Sequence, residues 1–144
     1  MKAFQFKLER ILAIRKHRER EWEIRLAQAT GECVQLRRDI ESRVMHKAEA
    51  LQRMGLEQLG AGEMLESHLY MARLDQEAER KSAELVVCER ERERIQGHYL
   101  EASKDRKVLD KLREKRSGGY LKEQRTEEIK ELDDMNTGRA ARRR

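Results

Sequence analysis

Gly55 and Gly60 are spaced like the glycines of a phosphate-binding loop, the nearest approach to a catalytic motif in this chain. Such a loop needs Lys and then Ser or Thr after its second glycine, to bring an ammonium and a hydroxyl to the phosphates and their metal. Ala61 and Gly62 stand in those places, and no strand pattern precedes them. Cys33 and Cys88 are too few for a disulfide framework or a structural zinc site. Glu127-Glu128 and Asp133-Asp134 are adjacent acids on a polar segment, which reads as a solvated helix face rather than an acid–base pair. The four histidines, His17, His46, His68 and His98, do not meet in the pairing derived below and read as surface residues. The sequence therefore predicts no catalytic residue, no cofactor and no metal site. The protein is expected not to be an enzyme, and its function must lie in surfaces.

The composition is that of long helices. Of 144 residues, 42 % are charged, 38 % hydrophobic and only 4 % aromatic, and there is no proline. Ala, Glu, Lys, Leu, Arg and Gln dominate, the signature of a coiled coil. No apolar run approaches a secretory signal core or the ~20 residues of a membrane span. The chain is read as cytoplasmic, with reduced thiols.

One apolar stripe begins at Trp22. Trp22, Leu26, Ala29, Cys33, Leu36 and Ile40 step by 4, 3, 4, 3 and 4. Val44, Ala48 and Leu51 continue the stripe with one extra step of 4, a local stutter. Three of the eight glycines then fall between Gly55 and Glu63. Beyond them Met71, Leu74, Ala78, Leu85, Cys88, Ile95, Tyr99, Ala102 and Leu109 form a second stripe. Lys81, Arg92, Arg106 and Arg113 fill its gaps, with stems long enough to cover a seam while their charges reach water.

In an antiparallel pair the facing residue numbers have a constant total. Leu12 with Leu109, Trp22 with Tyr99, Leu26 with Ile95, Ala29 with Arg92, Cys33 with Cys88 and Leu36 with Leu85 share one total. Val44 with Ala78 and Leu51 with Met71 miss it by a single residue. The centre falls at Gly60 and Ala61, inside the glycine cluster. The expected fold is all-α, a single long antiparallel two-helix coiled-coil hairpin. Its first helix covers about 8–54, its turn 55–63 and its second helix about 64–116. A break at 117–119 (Ser117-Gly118-Gly119), a C-terminal helical extension over 120–136 and a basic tail over 137–144 follow. Helices of roughly 50 residues at about 1.5 Å per residue would make a rod on the order of 75 Å long.

The net charge of +5 is unevenly placed. Residues 1–20 carry seven Lys/Arg against two acids, and residues 139–144 add four arginines, while the rest has 22 bases and 26 acids. A hairpin that joins its two ends would thus carry a basic pole, attractive to an acidic protein surface, a nucleic acid or an anionic membrane. Near the turn, Tyr70 lies one position off the seam residue Met71, which suggests an exposed contact face.

The opening Phe4-x-Phe6-x-Leu8-x-x-Ile11-Leu12-x-x-Arg15 resembles the start of the FliJ family of flagellar type III export proteins. Leu109-x-Lys111-Leu112-Arg113-Glu114-Lys115-Arg116, then Tyr120, then Glu128-Ile129-Lys130-Glu131-Leu132-Asp133-Asp134 resembles that family's end; Asp134 stands where members commonly have Glu. The resemblance implies a hairpin shaped like the central stalk of rotary ATPases. It also implies that the terminal end engages the hexameric export ATPase FliI, with contacts to the export gate protein FlhA and to export substrate chaperones. It implies bacterial flagellum biogenesis and motility as the setting, at the inner face of the cell membrane through partners. The charge pattern read alone, not the resemblance, offers Lys2, Lys7, Arg10, Arg142, Arg143 and Arg144 as the steering charges of the ATPase-facing pole, kept rigid by the seam of Leu8, Ile11, Leu12, Leu109 and Leu112. For the gate the resemblance carries over Tyr70 and Leu74; Arg37, Ile40 and Val44 lie in the comparable part of the first helix without a clear match.

Two other classes fit the residues read alone. One is a basic helical hairpin associated with nucleic acid or ribosomes, against which stand the absence of interleaved aromatics and of any known module. The other is a generic adaptor coiled coil, self-associating through the apolar flanks of a two-helix seam.

Overall fold

The computed structural model describes residues 3–142, the side chains of Ala140 and Arg142 excepted. Lys2, Arg143 and Arg144 lie outside the described residues. Two α-helices, α1 (Glu9–Leu56) and α2 (Ala61–Arg142), make an all-α helical hairpin. Among the described residues there is no strand.

The turn is residues 57–60, shorter than the glycine cluster predicts. Glu57 N–H still donates to the Arg53 carbonyl at 3.0 Å, which closes α1. Gly60 then opens α2. Its carbonyl accepts from Met64 N–H at 3.0 Å, and its own N–H donates to Glu63 Oε2 at 3.1 Å. This is the reciprocal half of a capping box, with a carboxylate at the positive end of the helix. Gly55 and Gly62 lie within the helices, and among the described residues no glycine takes a positive φ. The glycines loosen the helix ends here; they supply no left-handed turn.

The chain divides into two compact units, Arg20–Leu100 and Met1–Glu19 with Glu101–Arg144. In the Arg20–Leu100 unit the helices pair through an unbroken heptad. Cys33, Ala50, Met71, Leu74 and Ile95 are buried, and Trp22, Leu26, Leu36, Leu85, Cys88 and Tyr99 are half-buried. Cys33 Sγ and Cys88 Sγ lie 2.6 Å apart, which fixes the register on the total derived above.

The stutter does not occur. From Ile40 the seam goes on through Arg43, Lys47, Ala50 and Met54, all buried or half-buried, while Val44, Ala48 and Leu51 are exposed. The regular alternation of threes and fours keeps each helix facing the other, and shifting it for three apolar side chains would turn the next turns away. The charged occupants are paired instead: Arg43 Nε donates to Glu77 at 3.3 Å, Lys47 Nζ to Asp75 at 2.7 Å and Lys81 Nζ to Asp39 at 3.2 Å. Replacing Leu51 with Ala is accordingly expected to change stability by no more than about 0.5 kcal/mol, as for an ordinary surface site. A urea titration checks this; a loss of about 2 kcal/mol or more would restore Leu51 to the seam.

In the other unit Phe6, Leu12 and Leu109 form a closed cluster, with Phe4, Leu8 and Leu112 packed on it. Ile11 is exposed, so it takes no part in this packing. Residues 3–6 are non-helical, and Glu9 N–H donates to the Phe6 carbonyl at 3.1 Å where α1 begins. The Phe4 ring meets Tyr120 at 5.7 Å, and the Arg116 guanidinium sits 5.9 Å from the Phe6 ring centre. Next comes a polar layer. Arg15 donates to the Asp105 carbonyl at 3.0 Å, and Arg106 is held by both Glu19 and Asp110. These two carboxylates, by hydrogen bonding, raise the Arg106 pKa further and keep it charged.

α2 runs without interruption through Ser117-Gly118-Gly119, where the glycines predict a break, and stays helical to Arg142. Glycine weakens a helix by about 1 kcal/mol relative to Ala but does not forbid it as proline does. The aromatic contacts of Arg116 and Tyr120 bracket the glycines on both sides. Consequently, among the described residues, the N-terminal segment does not meet the end of α2. Phe4 meets Tyr120, and α2 continues beyond that point for roughly 33 Å at about 1.5 Å per residue.

Candidate functional site

Among the described residues, the extension of α2 past Tyr120 has no partner helix in its unit. Leu121, Ile129, Leu132 and Met135 are all exposed on it. At 3.6 residues per turn their spacing gathers them within about a third of the helix circumference. The surrounding charge is mixed: residues 120–142 hold five bases and six acids. The basic pole is thus dispersed. Lys7 and Arg10 are exposed at the base of the extension, and Arg142 is at its far end. The helix expected over 120–136 already carries these four residues without a partner, but their wide spacing in sequence does not announce a single face.

A second apolar surface lies at the turn of the Arg20–Leu100 unit. Leu56 is 79 % exposed, and Met64, Leu65 and Leu69 join it. Tyr70 is 41 % exposed and lines a shallow cavity of about 500 Å³ with Ala50, Arg53, Met54, Leu59 and Ser67. Leu74 is only 6 % exposed: it faces the seam, one turn below Tyr70, and offers little to a partner. On α1, Val44 is exposed, Ile40 half-buried, and Arg37 engages Glu89 in an ion pair that raises its pKa.

Trp22 stacks on His98 rather than on Tyr99, with ring centres 4.5 Å apart and planes 14° from parallel. The Arg25 guanidinium lies 4.8 Å from the Trp22 ring. His98 is therefore a half-buried packing residue, not a plain surface histidine; its position next to Tyr99 on the seam is the signal that could have found it. His46 and His68 are exposed. Arg92 buries its Nε without a protein partner, its stem covering the seam near Ala29.

Cys88 also approaches the Ala29 carbonyl, at 3.8 Å. Its pKa is pushed up to about 11, chiefly because the thiol hydrogen-bonds to Cys33, with burial and the neighbouring Glu32 and Glu89 adding to the effect. Among the described residues no group of three His, Cys, Asp or Glu could hold a metal, and no helix is long and apolar enough to cross a membrane.

The model of one protein family, described as flagellar FliJ protein, matches residues 4–144. No curated protein and no solved structure matches the chain.

Proposed function

Because the chain belongs to the flagellar FliJ protein family, we propose that it is a non-enzymatic component of the flagellar type III export apparatus. In this reading it binds the hexameric export ATPase FliI and links it to the export gate protein FlhA and to substrate chaperones. It works at the inner face of the cell membrane, held there by its partners. The observation that carries the reading, beyond the family itself, is the unpartnered apolar face of the α2 extension. Four large apolar side chains on one exposed helix face suit burial in a protein groove better than contact with water.

Lys7 and Arg10 at the base of the extension would steer the encounter, and Leu121, Ile129, Leu132 and Met135 would hold it. Charge chiefly sets the on-rate and its salt dependence, while buried apolar anchors set the off-rate. Tyr70, with the exposed leucines at the turn, is the proposed gate-facing surface.

The test is surface plasmon resonance against the purified hexameric ATPase. Lys7→Glu with Arg10→Glu is expected to slow association and flatten its salt dependence. Ile129→Asp with Leu132→Asp is expected to speed dissociation at least about tenfold, the equivalent of ~1.4 kcal/mol. All four residues are exposed, so the fold should survive. Wild-type kinetics at low salt for both variants would overturn the proposed contact.

A further inference from the structure

Cys33 and Cys88 stand opposite each other on α1 and α2, one buried and the other half-buried. Their sulfurs are 2.6 Å apart although the residues are 55 positions apart in sequence. A disulfide has its sulfurs at about 2.05 Å, so closing the bond needs a shift of only about half an ångström. Cys88 also lines an open flank of the seam with Ala29, Glu32, Glu84, Val87 and Glu91, which gives a small oxidant a path to its sulfur.

We propose that Cys33 and Cys88 form a reversible thiol–disulfide pair that, under a disulfide oxidant such as glutathione disulfide, staples α1 to α2. The proposal does not depend on any partner of the protein. Cys88 loses its proton to water and attacks one sulfur of glutathione disulfide, breaking that bond and releasing one glutathione thiolate. Cys33, deprotonated in turn, attacks the Cys88 sulfur and expels the second glutathione. Two protein thiols give up two electrons and two protons, and the oxidant becomes two glutathione molecules. Reduced glutathione in excess reverses both exchanges.

The rise of the Cys88 pKa to about 11 makes the first exchange slow at neutral pH, since the thiolate is the nucleophile. The staple would then form under sustained oxidation rather than in brief transients. Once formed, it holds the two helices in one register at this layer, so that they can neither slide nor separate there.

The experiment treats the full chain with glutathione disulfide, then measures intact mass, free thiols in denaturant and thermal unfolding. The expected product is a monomer lighter by two hydrogens, without free thiols, that melts higher than the reduced form and returns to it with dithiothreitol. Cys33→Ser and Cys88→Ser proteins cannot complete the second exchange. Cys33→Ser should stop at a stable glutathione adduct on Cys88. Circular dichroism confirms that both variants keep their helices. A wild-type protein that ends as a glutathione adduct, as a disulfide-linked dimer or unmodified would overturn the proposal. So would an oxidised monomer that melts no higher than the reduced one. The initial rate should go on climbing about tenfold per pH unit to pH 10; a plateau near the ordinary thiol pKa of about 8.5 would remove Cys88 as the point of entry.

Discussion

Leu12→Ala is expected to destabilise the unit that contains it by about 3 kcal/mol, within the range of large-to-small changes in closed cores. Leu12 is 1 % exposed, the most buried large side chain described, and its cluster is small. Phe6, from the N-terminal segment, and Leu109, from α2, are the two other buried members of that cluster, and only the partly buried Phe4, Leu8 and Leu112 pack around them, so few side chains are at hand to fill the space Leu12 leaves. The cavity should therefore stay largely open. A urea titration measures the global loss, and hydrogen exchange localises it. Amides of residues 9–19 and 101–116 should lose protection while those near Cys33 and Cys88 change little. A loss below about 0.5 kcal/mol would place Leu12 among ordinary surface sites.

The second large effect goes the other way. Gly118→Ala combined with Gly119→Ala is expected to stabilise the protein by about 2 kcal/mol, roughly 1 kcal/mol for each glycine replaced in a helix interior. Both residues are helical, and a Cβ at either would meet no atom within 4 Å. The gain comes from the unfolded chain, which loses freedom that glycine alone enjoys. Far-UV circular dichroism should show greater helicity near the end of α2, and urea unfolding the added stability. A loss on double substitution would mean that the glycines serve a bend. Gly119→Pro supplies the opposite control, since a proline there removes a helical hydrogen bond and should cost about 3 kcal/mol.

The hairpin was legible because its evidence is redundant. Two stripes, found independently, agree on one register, and the Cys33–Cys88 contact lies on it. Sequence and structure part where residue type and helix geometry point to different positions. Val44, Ala48 and Leu51 look like seam residues because they are apolar; Arg43 and Lys47 occupy the seam because the heptad places them there and Glu77 and Asp75 neutralise their heads. Residue type likewise makes Ser117-Gly118-Gly119 read as a break. Nothing local shows that Phe4 and Phe6 fold back to contact Tyr120 and Arg116 across the glycines. With α2 helical to Arg142, that residue stands away from Lys7 and Arg10, and four apolar side chains share one face of the extension; neither follows from charge counting. The His98–Trp22 stack was only half legible, from the place of His98 beside Tyr99 on the seam. Register specifies which residues face each other to within one position, and an aromatic ring can reach either neighbour.

The closed cluster at the start of α1 also bears on how the protein is made. Asp105, the partner of Arg15, follows it by 90 residues, and Leu109 and Tyr120 come later still. At a synthesis rate of about 5–20 residues per second, Phe4, Phe6, Leu8 and Leu12 emerge roughly 5–20 s before anything exists to cover them. The turn, by contrast, joins neighbours: Lys47 finds Asp75 only 28 residues on. The nascent chain can therefore pair its helices from the middle outward, leaving its most apolar segment for last. That segment is where a ribosome-bound chaperone would bind, and where a stalled or truncated chain would begin to aggregate.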